Sequence, residues 1–238
     1  MKTARLQAAQ TVDAGRRQFL KLSAASGAGL TLGLSLTGRA VAQSAASTEL
    51  EFNAFVNISP DNKVKVLIKH LEMGQGVYTG LATCVAEEMD ADWSQVECEH
   101  APVDTAKYAN LFMGQQATGG STAIANSFTQ MRQAGAAARA MLVAAAAARW
   151  QVSPADISVS AGRVSAGNRS ASFGELAMEA AAQTAPAVET LSLKSPDQFT
   201  LIGRDDTSRK DVGKNDGSAI YTQDVKLPGM LTAVVAHA

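Results

Sequence analysis

The chain has 238 residues, 46% of them hydrophobic and 18% charged, with 21 Lys and Arg set against 22 Asp and Glu. That hydrophobic share can build a buried core, and the near-neutral balance gives no global field to draw nucleic acid or an anionic membrane surface. Aromatic residues make up only 5%, which argues further against a base-stacking surface.

Residues 1–42 have the pattern of an address segment. Gly15-Arg16-Arg17-Gln18-Phe19-Leu20-Lys21 is similar to a twin-arginine export signal. The uncharged run Leu22 to Gly38 follows, and Ala40-Val41-Ala42 offers small residues where a signal peptidase cuts. The run is short and glycine-diluted for a membrane-spanning helix. A periplasmic protein, exported folded and beginning at Gln43, is expected.

From Phe52 to Ile58 apolar and polar residues alternate, Asn57 to Asn62 supplies turn chemistry, and Val64 to Ile68 is a second strand, so the two predict a hairpin. Met73-Gly74-Gln75-Gly76 comes next. Val77, Leu81, Val85 and Met89 then recur at helical spacing, and Val96, Cys98 and His100 alternate as a half-buried strand. Ala101 to Gly114 has the composition of a loop. Gly114-Gln115-Gln116-Ala117-Thr118-Gly119-Gly120-Ser121 then opens an alanine-rich helix running to about Trp150. Gly135 lies inside that helix, and Gly135→Ala is expected to be mild unless close helix packing needs the glycine. Asp156 to Gly162 and Val164 to Gly167 predict another hairpin, and Ser172 caps a short helix through Gln183. Thr184 to Gln198, with Pro186 and Pro196, is the linker candidate; strand-like Ala219 to Val225 and Leu231 to Val235 follow in a block that begins at Phe199. The fold class is α+β, with a mixed sheet and one long helix.

The titratable residues have plain structural explanations. Cys84 and Cys98 lack the spacing of a local zinc or iron–sulfur site and are expected as two buried thiols. His70, His100 and His237 are scattered, and none is assigned to a metal. Glu72 can cap the turn it precedes, and Glu87 and Glu88 end an amphipathic helix. Arg132 and Arg139, two turns apart on the long helix, can face either a ligand phosphate or a carboxylate.

The two glycine turns are the chemical signal. Bare backbone N–H groups at a helix start, backed by the helix dipole, attract anions. Gln75, Gln115 and Gln116 add amides that both donate and accept, which suits the edge of a heterocycle. Together they describe a cradle for a phosphorylated heterocyclic cofactor.

Three stretches carry a resemblance: Met-Gly-Gln-Gly-Val-Tyr-Thr at 73–79, Ala-Glu-Glu-Met-Asp-Ala-Asp-Trp at 86–93, and Gln-Gln-Ala-Thr-Gly-Gly-Ser-Thr at 115–122. In this order and separation they resemble the large, molybdenum-binding subunits of the xanthine dehydrogenase and aldehyde oxidase family, most of all the isoquinoline 1-oxidoreductase beta-subunit type. The resemblance implies molybdopterin cytosine dinucleotide, held in part by Gly74, Gln75 and Gly76 and in part by Gln116, Thr118, Gly119, Gly120 and Ser121. It implies hydroxylation of an aldehyde or N-heterocycle with water-derived oxygen. Electrons would pass to a small subunit carrying [2Fe–2S] clusters, with a cytochrome as a candidate acceptor. It also implies a division into residues 1–42 (signal), 43–198 (part of the cofactor-binding domain) and 199–238, the start of a hammerhead-like α+β domain. On that expectation the chain is the N-terminal part of a subunit about three times as long. The family's catalytic glutamate lies near the C-terminal end of the full subunit and nothing here matches it, so no catalytic residue and no protein metal ligand is assigned.

Two alternatives of other classes stand beside this. One is a non-catalytic periplasmic module that binds a nucleotide or cofactor. The other, a dinucleotide-binding dehydrogenase domain, is disfavoured because Gly74-Gln75-Gly76-Val77-Tyr78-Thr79 has no third glycine in place.

Overall fold

The computed structural model describes residues 30–32 (backbone only), 55–214 and 216–236. The export motif at Arg16-Arg17 and the cleavage site at 40–42 lie outside the described residues, as do residues 52–54 of the first expected strand. The expected hairpin forms, with β2 (Val56–Ile58) antiparallel to β3 (Val64–Ile68), and β1 (Leu30–Leu32) pairs antiparallel with β2 on the outer side. The fourth strand, β4 (Val96–His100), runs parallel to β3, from Val64 opposite Val96 to Ile68 opposite His100. Parallel strands need a crossover, and α1 (Val77–Met89) supplies it. A second sheet, β5 (Ser158–Ser160), β6 (Arg163–Ala166) and β7 (Arg169–Ser172), is an antiparallel meander. Its third strand runs straight into the helix cap at Ser172, so the sequence pattern shows only a hairpin there.

The sheet buries Val56, Ile58, Val64, Val66 and Ile68, alternating as a period of two requires, against α1 and α3 (Ala123–Trp150). Helix α1 buries its expected Val77, Leu81, Val85 and Met89 stripe and then much more, since Ala86, Glu87 and Glu88 are also inside. That wider burial comes from α3, which lies across α1 with a small-residue face of Ala134, Gly135, Ala137 and Ala138. The approach is so close that a Cβ added at Gly135 would sit 2.4 Å from the Val85 carbonyl oxygen. The expectation of a mild Gly135→Ala is therefore corrected: close helix packing does need the glycine.

Three further expectations change. Ser121 does not open α3. Its φ of 56° is left-handed, so the helix starts at Ala123 behind Thr122. The 101–114 segment is not all loop, because Asp104 caps a one-turn helix α2 (Thr105–Tyr108) through the Lys107 N–H. This turn puts Tyr108 edge-on against Phe55, centroids 5.6 Å apart. The tail segments 219–225 and 231–235 form no strand; one turn of 3-10 helix at Thr222–Asp224 is the regular element there. Their alternation has no neighbouring strand among the described residues to pair with, and Ile220, Leu227, Leu231 and Val234 are exposed. Among the described residues no helix is long and apolar enough to cross a membrane.

The closing helix α4 (Phe173–Ala181) begins in the capping box expected of Ser172: its hydroxyl accepts the Glu175 N–H while Glu175 accepts the Ser172 N–H. The proline-bearing stretch after it is tied down rather than free. Lys194 Nζ reaches Glu87 at 2.9 Å and Asp90 at 2.7 Å.

Candidate cofactor site

Parallel pairing of β3 with β4 brings both chain exits to one end of the sheet. The first glycine turn leaves β3 there and the segment leading to the second leaves β4. Crevices outside the carboxyl ends of strands are where open α/β sheets hold ligands. The turns are joined directly, the Leu71 N–H donating to Thr118 Oγ1 at 2.8 Å.

The first turn is already filled by its own carboxylate. Glu72 Oε1 accepts the N–H groups of Gly74 (2.8 Å) and Gly76 (3.1 Å), and Oε2 accepts that of Tyr78 (2.9 Å). The positive end of α1 thus points at Glu72, which acts as the cap. Gln75 is equally occupied, accepting the Met73 N–H and donating to the Leu71 carbonyl, both at 2.6 Å. Gln116 donates to the Pro102 carbonyl and accepts the Asp104 N–H, both at 3.0 Å. Each amide keeps a second N–H and a second lone pair. Both hold the loops in shape.

The second turn is more open to a ligand. Gly120 has φ 61° and Ser121 follows with φ 56°, so two consecutive left-handed residues turn the backbone sharply before α3. A Cβ at Gly120 would make only ordinary contacts, so its glycine is explained by conformation. Thr118 accepts from Leu71 and keeps its hydroxyl proton free to donate. Beside Gln116 and Thr118 lies a cleft of about 190 Å³, walled also by Lys69, Leu71, His100 and Val103.

A buried relay fixes this turn. His70 is fully buried, with Nε2 3.1 Å from Ser127 Oγ. Ser127 donates to Asn126 Oδ1 (3.0 Å), Asn126 Nδ2 to Asn110 Oδ1 (3.1 Å), Asn110 Nδ2 to Thr122 Oγ1 (2.8 Å), and Thr122 to the Gly119 carbonyl (2.8 Å). Since the Ser127 proton is spent on Asn126, His70 must donate from Nε2–H. Its Nδ1 then carries the lone pair and has no hydrogen-bond partner among the described residues. Burial, with the adjacent Lys69 charge, pulls the His70 pKa below its ordinary value, against weaker opposing contacts from the Ala117 backbone and the Asn126 side chain. Thr122 and Gly119 belong to the second motif, but His70, Asn110, Asn126 and Ser127 do not stand out in the sequence as part of the site. The Asn110–Asn126 pairing is visible only once the loop is folded back on the helix.

The other candidates sit elsewhere. Arg132 binds Glu88 through Nε at 2.7 Å and Arg139 binds Asp90 at 3.0 Å, so both of these arginines face carboxylates at the C-terminal end of α1. Cys84 and Cys98 are free thiols, each pushed up to about 12 by burial. Among the described residues no group of three or more His, Cys, Asp or Glu is placed to hold a metal ion.

A molybdopterin group can be tested against this arrangement. The second turn fits a bound organic group, since it has room, a free hydroxyl and a strained backbone held by the relay. The first turn does not fit a phosphate, because Glu72 occupies its N–H groups. If the cofactor touches 74–76, it does so by packing over glycines beside which a Cβ would meet nothing within 4 Å.

Comparison with known proteins agrees with the motifs. The profile of the molybdopterin cofactor-binding domain matches residues 6–225. The beta subunit of isoquinoline 1-oxidoreductase from Brevundimonas diminuta is 32% identical over 99% of this chain and 35% of its own length. The membrane-bound aldehyde dehydrogenase (pyrroloquinoline-quinone) of Gluconacetobacter polyoxogenes is 35% identical, over 74% of this chain and 22% of its own. A nicotinate dehydrogenase subunit of Pseudomonas putida is 35% identical, over 77% and 15%. The chain therefore spans about a third or less of the relatives it matches. With a match over residues 6–225 and the motif-bearing turns side by side at one sheet end, the chain belongs to the molybdopterin cofactor-binding domain family.

Proposed function

We propose that this chain supplies part of the cofactor cradle of a molybdenum-dependent oxidoreductase that hydroxylates an aldehyde or an N-heterocycle with water-derived oxygen. The observation that carries this is the joining of the two motif turns through Leu71 and Thr118, beside an open cleft. The relatives are named for isoquinoline, an aldehyde and nicotinate, which supports that substrate range. In this proposal Thr118, Gly119, Gly120 and Ser121 line the cofactor. Gly74 and Gly76 leave space for it, and Gln75 and Gln116 brace the loops around it. The bound group, proposed as the cytosine dinucleotide form, supplies the redox chemistry, while the protein orients it. Electrons leave through a separate [2Fe–2S] subunit, a proposal supported by the word "subunit" in two of the relatives' names. The division at residues 198–199 and the hammerhead-like identity of residues 199–238 belong to the same proposal.

The test is metal content. Gly120→Val forces a β-branched residue into φ 61°, a strain of roughly 1–3 kcal/mol that the turn relieves by moving. Gln116→Ala removes two loop-bracing hydrogen bonds, about 1–3 kcal/mol, and leaves the turn itself intact. Made in the full-length subunit, with molybdate and in a host that makes the cofactor, the Gly120→Val protein should carry about a tenth of the parent's molybdenum or less, and the Gln116→Ala protein an intermediate amount. A folded Gly120→Val protein with full molybdenum would refute this cradle.

The proposed location is the periplasm, supported by Arg16-Arg17 and the small residues at 40–42. Changing both arginines to lysine should leave the precursor in the cytoplasm on fractionation. An unchanged periplasmic yield would exclude twin-arginine export.

A further inference from the structure

Lys69 is the most unusual charge in the described molecule. It follows β3 directly, is 2% exposed, and has no carboxylate within ion-pair reach among the described residues. Its Nζ donates to the Ala109 carbonyl at 3.0 Å and to Gln130 Oε1 at 2.6 Å. An ammonium has three protons, so one donor is left without a partner among the described residues. Burial pulls its pKa down to about 8, so at pH 7 the group still carries its charge. A buried cation without a counter-charge is costly to keep unless something outside the chain neutralises it.

The cleft shows where that neutralising group enters. Lys69, Thr118 and His100 are among its lining residues, and no carboxylate lines it. Thr118 has a hydroxyl proton to give because its oxygen already accepts from Leu71. His100 is exposed at the end of β4 and offers a ring N–H. Three residues that carry donors, one of them charged, line a space of about 190 Å³. That is the chemistry of an oxyanion subsite.

We propose that Lys69, with Thr118 and His100, binds a phosphate-type oxyanion in this cleft. The anion enters as free phosphate or as the phosphate of a larger ligand, and the chemistry of recognition is the same in both. Only the identity of the natural ligand rests on the cofactor reading above; the subsite rests on the unpaired ammonium and the acid-free wall.

Inorganic phosphate is the probe, titrated into the 238-residue chain by calorimetry at pH 7, with ionic strength held constant by sodium chloride. The parent should bind one equivalent saturably. Lys69→Gln keeps a donor for Ala109 and removes the charge, and should weaken phosphate by about tenfold or more. His100→Gln, at an exposed position, should weaken it less. In the parent, phosphate-induced amide NMR shifts should centre on residues 69, 100 and 116–118. They decide the matter even if Lys69→Gln does not fold. No saturable binding by the parent, shifts centred on another face, or unchanged affinity in folded Lys69→Gln would each overturn the subsite. Phosphate binding that survives in a molybdenum-free Gly120→Val protein keeps this subsite separate from the cradle test. Analysis of the purified parent for inorganic against organic phosphorus separates the two sources.

Discussion

Gly135→Ala should be among the most damaging single-methyl additions in this protein. The alanine Cβ would lie 2.4 Å from the Val85 carbonyl oxygen and 3.1 Å from Glu88 Cβ. The first of these is main chain, so no side-chain rotation relieves the overlap, and α1 and α3 must separate. In an isolated helix the same change would gain about 1 kcal/mol of propensity. Here overpacking at the upper end of the usual range outweighs that gain, for a net loss of about 2–3 kcal/mol. Separating the helices would also disturb Glu88, whose partner Arg132 lies on α3 one turn before the glycine. Urea unfolding followed by circular dichroism checks this; equal or greater stability of the alanine protein would disprove the close approach.

Loss of the Glu87 carboxylate should be the other large effect. It is fully buried, and five groups donate to it: the N–H groups of Thr200, Leu201 and Ile202, the Thr200 hydroxyl and Lys194 Nζ. Glu87, Glu88 and Asp90 crowd the C-terminal end of α1, where the helix dipole repels acids. These donors, together with Arg132 and Arg139, make the arrangement tenable. Glu87→Ala would strand several buried donors and a partly buried cation, costing about 3–5 kcal/mol. Glu87→Gln should be little better, because its amide NH2 would face other donors.

The same carboxylate gives a pH dependence. Burial alone would raise its pKa, but the Ile202 N–H, the Lys194 side chain and the Leu201 and Thr200 N–H groups outweigh that and hold it at about 2, below the ordinary 4.5. A depressed carboxylate pKa means the unfolded chain binds the proton more readily. The contribution is therefore complete above pH 4.5 and lost as pH falls from there through about 2. On the order of 3 kcal/mol should disappear across that window. An acid titration of stability should show this loss in the parent and not in Glu87→Gln.

The elements that depend on local pattern were legible in the sequence. The stripe of α1, the hairpin of β2 and β3, the end of α3 near Trp150 and the Ser172 capping box all follow from neighbours a few residues apart. What depended on distant partners was not. The parallel pairing of β3 with β4 is a tertiary fact, and it is what brings the motif turns to one place. Gly135 has the same letter whether it faces solvent or a carbonyl oxygen 2.4 Å from where its Cβ would be. At the candidate site, the presence of two glycine turns was readable, but their occupancy was not. Glu72 reads as a possible cap, yet only the folded chain shows it taking three N–H groups, and only there do Gln75 and Gln116 bond to the backbone of their own loops. Lys69 gives no signal in the sequence because a lysine after an alternating strand is ordinarily solvated.

The cage around Glu87 also sets an order of events during synthesis. The donors from Thr200 lie 113 residues downstream of the carboxylate they satisfy. At ribosomal speeds of about 5–20 residues per second, that separation is a delay of roughly 6–23 s. Until then α1 carries three acids at its end with no Lys194 and no Thr200–Ile202 loop to receive them. The nascent sheet and first helix must therefore wait, loosely packed, for the late segment to arrive. That interval is when the chain is open to chaperones.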